Sequence, residues 1–113
     1  MLTEITHREI APHTVVITLT GRLTIGTRGE RIESLVESLL AEGKRIIIFD
    51  LAGLAAIDST GIGHFIASYG KITAAGGDMR MACATGRLFE AFHVSLLDKV
   101  FRFCPTVEEA SRA

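Results

Sequence analysis

The 113-residue sequence is poor in the residues that build metal centres and disulfide frameworks, with two cysteines, two prolines and no tryptophan. Cys83 and Cys104 lack the Cys-x-x-Cys spacing of metal sites, and none of the four histidines stands at a ligand spacing from them. Both thiols are more typical of small buried hydrophobic side chains. We therefore predict no metal, no disulfide and no bound cofactor.

The sequence also lacks long apolar runs and blocks of one charge sign. It has 12 basic and 13 acidic residues and a net charge of -1, without the basic cluster that would follow a nucleic-acid backbone. No apolar run approaches the roughly 18 to 20 residues that cross a bilayer, and the first residues lack the basic-then-apolar layout of a signal peptide. We expect a soluble, cytoplasmic protein with no nucleic-acid partner and no direct membrane insertion.

Hydrophobic residues make up 48% of the chain, which suffices for one ordinary core in one domain over residues 1–113. Residues 2–10 alternate weakly and carry charges, as expected of an edge strand that is kept polar against unwanted pairing. Residues 14–20 are rich in β-branched side chains and predict a second strand, paired with the first as a hairpin. We expect Gly21 to end this strand.

The rest of the chain alternates between helical and strand patterns. Apolar residues recur at helical spacing between residues 28 and 42, and Gly43 is placed to end that helix in the left-handed conformation. Residues 46–51 are apolar on both faces, which indicates a central parallel strand. A helix to about Ala75, strands at 78–84 and 100–103 around a helix at 86–93, and a last helix with Pro105 at its first position complete the order ββαβαβαβα. This order predicts a single α/β domain with a mixed, mostly parallel sheet of four to five strands and about four helices.

The most informative stretch is Asp-Ser-Thr-Gly-Ile-Gly at residues 58–63, between the buried strand and the next helix. Sites of open α/β sheets lie at the carboxyl ends of strands, and a helix start offers free N–H groups to an anion. Two hydroxyls and one carboxylate converge there, so the stretch suits a phosphoryl group or another anion. We expect the functional site at this turn.

The helix after this turn presents three stripes at about 100° per residue. Its predicted core face comprises Ile62, Phe65, Ile66, Tyr69 and Ile72, and its predicted polar face comprises Thr60, His64, Ser68 and Lys71. The stripe between them is made of Gly63, Ala67, Gly70 and Ala74. Glycine inside a helix costs roughly 1 kcal/mol relative to alanine, so Gly63 and Gly70 imply a close neighbour. That neighbour is either a helix of the same domain or a partner surface.

The layout as a whole resembles the anti-sigma factor antagonists of bacteria and, more broadly, the STAS domain family. The resemblance rests on the apolar strand, residues 58–63, the following helix, Gly-Gly at 76–77, Arg-Leu-Phe at 87–89 and the short helix near the end of the chain. It covers nearly the whole chain, and residues 58–63 are its most specific part. It implies a small sheet with helices largely on one side.

The resemblance also implies a phosphorylation switch. In such antagonists the serine after the motif aspartate, here Ser59, is phosphorylated by a partner that is both an anti-sigma factor and a serine kinase. The unphosphorylated form binds this partner and frees a sigma factor, which regulates transcription indirectly; the phosphorylated form does not bind, and a phosphatase resets it. The expected partner-binding residues are Asp58, Thr60, Gly61, Gly63, His64, Arg22 and Thr24.

One segment departs from the family pattern. After the second strand the family usually shows Gly-Glu-Leu-Asp, whereas this chain has Gly-Arg-Leu-Thr at residues 21–24. Arg22 and Thr24 thus replace two acidic residues by a base and a neutral hydroxyl. If those acids help to meet a kinase, this chain meets a different surface, and the alternative function is a non-switched STAS scaffold in a signalling complex or a lipid-transport system.

Other interpretations of the site residues stay open at this stage. Asp58, Ser59 and Thr60 are all good helix N-caps, and one of them must serve. His64 is a solvated helix residue, a partner contact or, in an enzyme, the base for a Ser59 nucleophile oriented by Asp58. Three such residues in one turn rarely point in the required directions, and the sequence has neither the Gly-x-Ser-x-Gly elbow of hydrolases nor a phosphate-binding P-loop. We expect no enzymatic activity.

Overall fold

The computed structural model describes residues 2–113, with side-chain surroundings from Glu4 onward. Within these residues, five strands form one sheet whose spatial order follows the chain. The strands are β1 (Leu2–Ala11), β2 (Thr14–Leu23), β3 (Ile46–Ile57), β4 (Asp78–Ala82) and β5 (Arg102–Cys104). β1 and β2 pair antiparallel as the predicted hairpin, and every other pairing is parallel.

In the described part of the chain, four helices and one 3₁₀ turn connect and follow these strands. They are α1 (Glu30–Ala41), α2 (Ser59–Ala74), α3 (Gly86–Val94), the 3₁₀ turn Leu97–Lys99 and α4 (Val107–Arg112). The single α/β domain with a mixed sheet and four helices is confirmed. None of the helices described is long and apolar enough to cross a membrane.

The main core lies between one face of the sheet and helices α1, α2 and α3. Its centre is aromatic: the Phe65 ring lies 5.1 Å from that of Phe49 and 5.7 Å from that of Phe92. Phe49 comes from β3, Phe65 from α2 and Phe92 from α3, so these rings join three elements. Because α2 starts directly after β3, this packing fixes the position of its first turn.

The opposite face of the sheet carries a second, smaller cluster under α4. Ile48 of β3 packs there with Val16, Ala82 and Ala110, whereas its neighbours along the strand belong to the main core. The two-faced interpretation of β3 is therefore confirmed. Arg80 holds α4 in place, because its Nη1 donates to the Ala110 carbonyl oxygen at 2.8 Å.

Three predicted chain signals have mixed outcomes. Gly43 adopts the left-handed conformation after α1, with a φ of 90°, as predicted. Gly21 does not end β2: the strand continues to Leu23, and the positive φ of Gly21 accompanies a register shift in the pairing with β3. Pro105 is not the first residue of the last helix, because Thr106 caps α4 by accepting from the Glu109 N–H.

The two cysteines are less buried than the small buried hydrophobic side chains that the sequence predicted. Both are half-buried free thiols that pack against the second cluster. Burial raises the pKa of the Cys83 thiol, and the nearby Asp50 carboxylate raises it further. Within residues 2–113, no group of three or more His, Cys, Asp or Glu side chains could hold a metal ion.

Candidate functional site

Asp58 joins the end of β3 to the start of α2. Its backbone is extended, with φ -123° and ψ -172°, which is the conformation of a helix N-cap. Its Oδ1 accepts from the Gly61 N–H at 3.0 Å, inside the helix start. Its Oδ2 accepts from the Ile25 N–H at 2.9 Å, in the segment between β2 and α1. One carboxylate therefore caps α2 and ties a neighbouring loop to it.

These two contacts set the charge state of the site. The hydrogen bond from the Gly61 N–H, followed by that from the Ile25 N–H, lowers the pKa of Asp58 from its ordinary value of 3.8. Both donors favour the ionised carboxylate over the acid. A fixed negative charge consequently stands next to Ser59 at neutral pH.

Ser59 is the first residue of α2, and the interpretation of Ser59 as the N-cap is wrong because Asp58 takes that position. Its side chain is exposed, as is that of Thr60. The Ser59 hydroxyl has no hydrogen-bond partner in the described part of the chain. It is thus available to an enzyme that modifies hydroxyl groups.

Gly61 lets the first turn of α2 approach the end of β2. A Cβ atom on Gly61 would clash with the carbonyl oxygen of Leu23 and would lie 2.7 Å from Cγ1 of Ile57. The same carbonyl oxygen accepts from the Asp58 N–H at 3.3 Å. The end of β2 is therefore a wall of the site.

This close approach places the end of β2 and the segment that follows it beside the turn at residues 58–61. Arg22 lies opposite Ala56 in the β2–β3 pairing, two residues before Asp58, and its side chain is exposed. Thr24 is partly buried and exchanges two hydrogen bonds with the Thr27 hydroxyl, at 3.1 and 2.7 Å. The geometry thus brings Arg22 and Thr24 to the region of Ser59, although the sequence separates them by 35 or more positions.

His64 lies between α2 and α1. Its Nδ1 pairs with the Glu33 carboxylate of α1, and a Cβ atom on Gly29 would come within 2.8 Å of its Nε2. Lys71, two turns further on, pairs with Glu37 at 3.1 Å. The predicted polar face of α2 consequently packs against α1.

The exposed face of α2 is rotated from the prediction. Ile66, expected in the core, is 49% exposed, whereas Ser68, expected on the polar face, is fully buried. Gly63 and Gly70 are exposed, and among the described residues no atom outside the adjoining backbone of α2 lies within 4 Å of a Cβ added to either glycine. The expected close neighbour from the same domain is therefore absent from the described residues. We call Ser59, Gly63, Ile66 and Gly70 the α2 outer face.

The enzyme interpretation requires Asp58 to orient His64, and the geometry does not provide this. Both Asp58 oxygens accept from backbone N–H groups, and the carboxylate beside His64 is that of Glu33. Sequence reasoning missed Glu33, Gly29 and Ile25. Only Ile25 left a signal, as a lone large apolar residue in a polar loop, and its exposure is 78%.

The STAS domain family matches residues 6–110 of the sequence. The chain belongs to the STAS domain family. Its fold, with α2 starting at the end of the central strand, agrees with this assignment.

Solved structures with this STAS fold include proteins of different roles. An anti-sigma factor antagonist from Mycobacterium paratuberculosis has a TM-score of 0.80 and 23% identity, over 96% of this chain and 92% of its own. The Bacillus cell fate determinant SpoIIAA in its phosphorylated form has a TM-score of 0.74 and 22% identity, over 96% and 98%. A sulfate transporter family protein from Wolinella succinogenes has a TM-score of 0.79 and 14% identity, over 91% and 85%. At such identities the likeness shows the shared fold.

Proposed function

We propose that this STAS domain is an anti-sigma factor antagonist that binds an anti-sigma factor with serine kinase activity and is released when Ser59 is phosphorylated. The observation that carries the proposal is the division of roles between Asp58 and Ser59. The Asp58 carboxylate caps the helix, so the Ser59 hydroxyl is exposed and unpaired at the first turn. The phosphorylated SpoIIAA structure, which has the same fold, supports a phosphoryl group as the modification.

The partner in this proposal docks on the α2 outer face. Gly63 and Gly70 present no side chain, which lets the backbone of another helix approach closely. Ile66 stands between them and offers an exposed apolar side chain for such a contact. Thr60 is exposed in the same first turn, whereas Gly61 is buried against the end of β2 and only shapes the surface. Arg22 and Thr24 extend the surface toward β2. Little of His64 is accessible to a partner, because its side chain is only 20% exposed and pairs with Glu33.

Phosphorylation at this position acts by electrostatics. A phosphoryl group adds about -1.5 to -2 charges at neutral pH, next to the ionised Asp58 carboxylate. The start of α2 tolerates some of this charge through its free N–H groups, whereas a partner packed over Ser59 would bury the charge without compensation. We therefore expect loss of binding without loss of folding.

The test incubates the protein with a cognate anti-sigma factor kinase and ATP. Intact mass and peptide mapping should locate one phosphate on Ser59, and Ser59→Ala should gain none while still binding. Ser59→Asp should fold but bind at least about tenfold more weakly, which is about 1.4 kcal/mol. Thr60→Ala is the matched control and should be phosphorylated like the wild type. Phosphate on Thr60, or unchanged binding by Ser59→Asp, would contradict the switch.

A separate experiment tests the docking face. Ile66→Glu should weaken partner binding with little loss of stability, because Ile66 is already 49% exposed. Val94→Glu is the control, since Val94 is 73% exposed and lies on α3 rather than on α2. Equal affinities for the two variants would place the partner elsewhere on the domain.

The second candidate function is a STAS scaffold that docks constitutively in a larger assembly. It is favoured by the fold shared with the sulfate transporter family protein and by Arg22 and Thr24 in place of two acidic residues. Kinase assays on the wild type and on the Arg22→Glu, Thr24→Asp variant distinguish the two. A switched antagonist is phosphorylated on Ser59 by its kinase without these substitutions, whereas a scaffold is phosphorylated in neither form.

We also propose that the domain has no catalytic activity of its own. Ser59 has no base positioned by Asp58, and the sequence has no P-loop. Assays with ester and nucleotide substrates should show no turnover above buffer. Turnover that disappears in Ser59→Ala, while the fold measured by circular dichroism is kept, would refute this.

A further inference from the structure

The outer edge of β1 is long, exposed and unpaired. β1 spans ten residues at one end of the sheet order, and no strand within residues 2–113 pairs with its outer side. Its pairing with β2 is regular from Glu4 to Glu9 and shifts register at both ends of this span. An edge of this length has free backbone N–H and C=O groups that can pair with another strand.

Three side chains of this edge lie on the same face of the sheet, the face that carries α4. Glu4, Thr6 and Arg8 lie opposite Thr20, Thr18 and Val16 of β2. Residues that face each other across an antiparallel pair point to the same side of the sheet. Since Val16 belongs to the α4-side cluster, the two charges share that face. All three β1 side chains are exposed.

The two charges are placed symmetrically about Thr6. In an antiparallel pair of identical strands, a two-fold axis perpendicular to the sheet passes through one residue, because only residues of the same face can stand opposite each other. An axis at Thr6 puts Glu4 of each copy opposite Arg8 of the other, twice. Opposite charges in this arrangement stabilise a strand pair.

The neighbouring registers lack this match. An axis at Glu4 or at Arg8 puts two like charges directly opposite each other, which is destabilising. An axis at Ile5 or at His7 gives neither charge an opposite partner. The charge pattern therefore selects one register of self-pairing among five.

We propose that β1 pairs antiparallel with β1 of a second copy of this chain, about a two-fold axis at Thr6, to form a continuous ten-stranded sheet. The sequence alone assigned the charges of this strand to protection against pairing; their spacing about Thr6 instead directs one pairing. The interface spans few residues, so the dimer is weak and concentration-dependent. The proposal is independent of Ser59 and of the partner discussed above.

Charge reversal tests the register directly. Glu4→Arg leaves Arg at both positions, and Arg8→Glu leaves Glu at both, so each variant alone should dimerise at least about tenfold more weakly than the wild type. Mixing the two variants pairs every Arg with a Glu and should restore a heterodimer. The double variant Glu4→Arg with Arg8→Glu should also restore the homodimer. Sedimentation equilibrium at low salt measures all four.

The control is Arg102→Glu, which makes the same change of charge on the exposed residue of β5, at the other edge of the sheet. It should dimerise like the wild type. Circular dichroism checks that every variant is folded. A wild type that stays monomeric up to about 1 mM protein would overturn the proposal. Single variants that self-associate like the wild type, or a mixture that stays monomeric, would overturn it as well.

Discussion

Replacing Gly61 by alanine tests whether the site is built by the close approach of α2 to β2. The new Cβ would clash with the Leu23 carbonyl oxygen and would lie 2.7 Å from Ile57 Cγ1. The carbonyl oxygen cannot move freely, because it lies at the end of β2 and accepts from the Asp58 N–H at 3.3 Å. The helix must therefore shift away from the strand.

The magnitude follows from two opposing terms. Overpacking a well-packed position costs about 1–3 kcal/mol, and a backbone carbonyl yields less than a side chain would. Alanine favours a helix over glycine by roughly 1 kcal/mol, and this preference offsets part of the overpacking cost. The offset is smaller in the first turn of a helix. We expect a net loss of about 1–2 kcal/mol in the free energy of unfolding. This corresponds to a fall in Tm of about 4–8 °C for a domain of this size.

Gly63→Ala is the matched control, two residues further along the same helix. Among the described residues, no atom outside the adjoining helix backbone lies within 4 Å of its added Cβ, so only the helix-propensity term applies. The free energy of unfolding should rise by about 0.5–1 kcal/mol. Urea unfolding followed by circular dichroism measures both variants. Equal effects of the two substitutions, or a stabilised Gly61→Ala protein, would refute the close approach.

Two further predictions concern the Asp58 carboxylate and α4. The folded pKa of Asp58 lies below the 3.8 of the unfolded chain, so its stabilisation is complete above about pH 4 and is lost as the pH falls through the folded value. Urea unfolding should show Asp58→Asn to be less stable than the wild type at pH 7, with a smaller difference at pH 3; a constant difference would contradict this. Arg80→Met should lose about 1.5–3 kcal/mol, because it removes the charged hydrogen bonds to Ala110 and Asp78. Hydrogen exchange should then speed up first in α4, and uniform acceleration would argue against a local anchor.

The sequence predicted those parts of the fold in which periodicity and burial agree. The β-branched residues of β2, the helical spacing of α1 and the two-faced apolar run of β3 each match one element. The predictions for Gly21 and Pro105 were wrong for the same reason. Each took a residue type that often ends or starts an element as a boundary, without regard to the hydrogen bonds made around it. In β2 the chain absorbs Gly21 as an irregularity, and near α4 the Thr106 hydroxyl supplies a better cap than a proline start.

Helical periodicity alone could not predict which face of α2 is buried. Apolar residues occupy more than one sector of this helix, so periodicity alone does not say which sector meets the sheet. The packing buries Phe65 and Ile72 and encloses Ser68 between them, which turns Ile66 outward. Contacts with α1, through Glu33 and Glu37, accompany this rotation. They link residues about 30 positions apart, and no local pattern encodes them.

The six-residue motif divides into residues that build the turn and residues that are free to act. Asp58 and Gly61 build it, since one caps α2 and the other permits contact with β2. Changing either alters the structure, so loss of binding in such a variant would say little about recognition. Ser59 and Gly63 are exposed and make no contact that the fold requires. The motif can therefore persist in a STAS domain that has lost phosphorylation, and only substitutions at Ser59 and on the α2 outer face separate the switch from the fold.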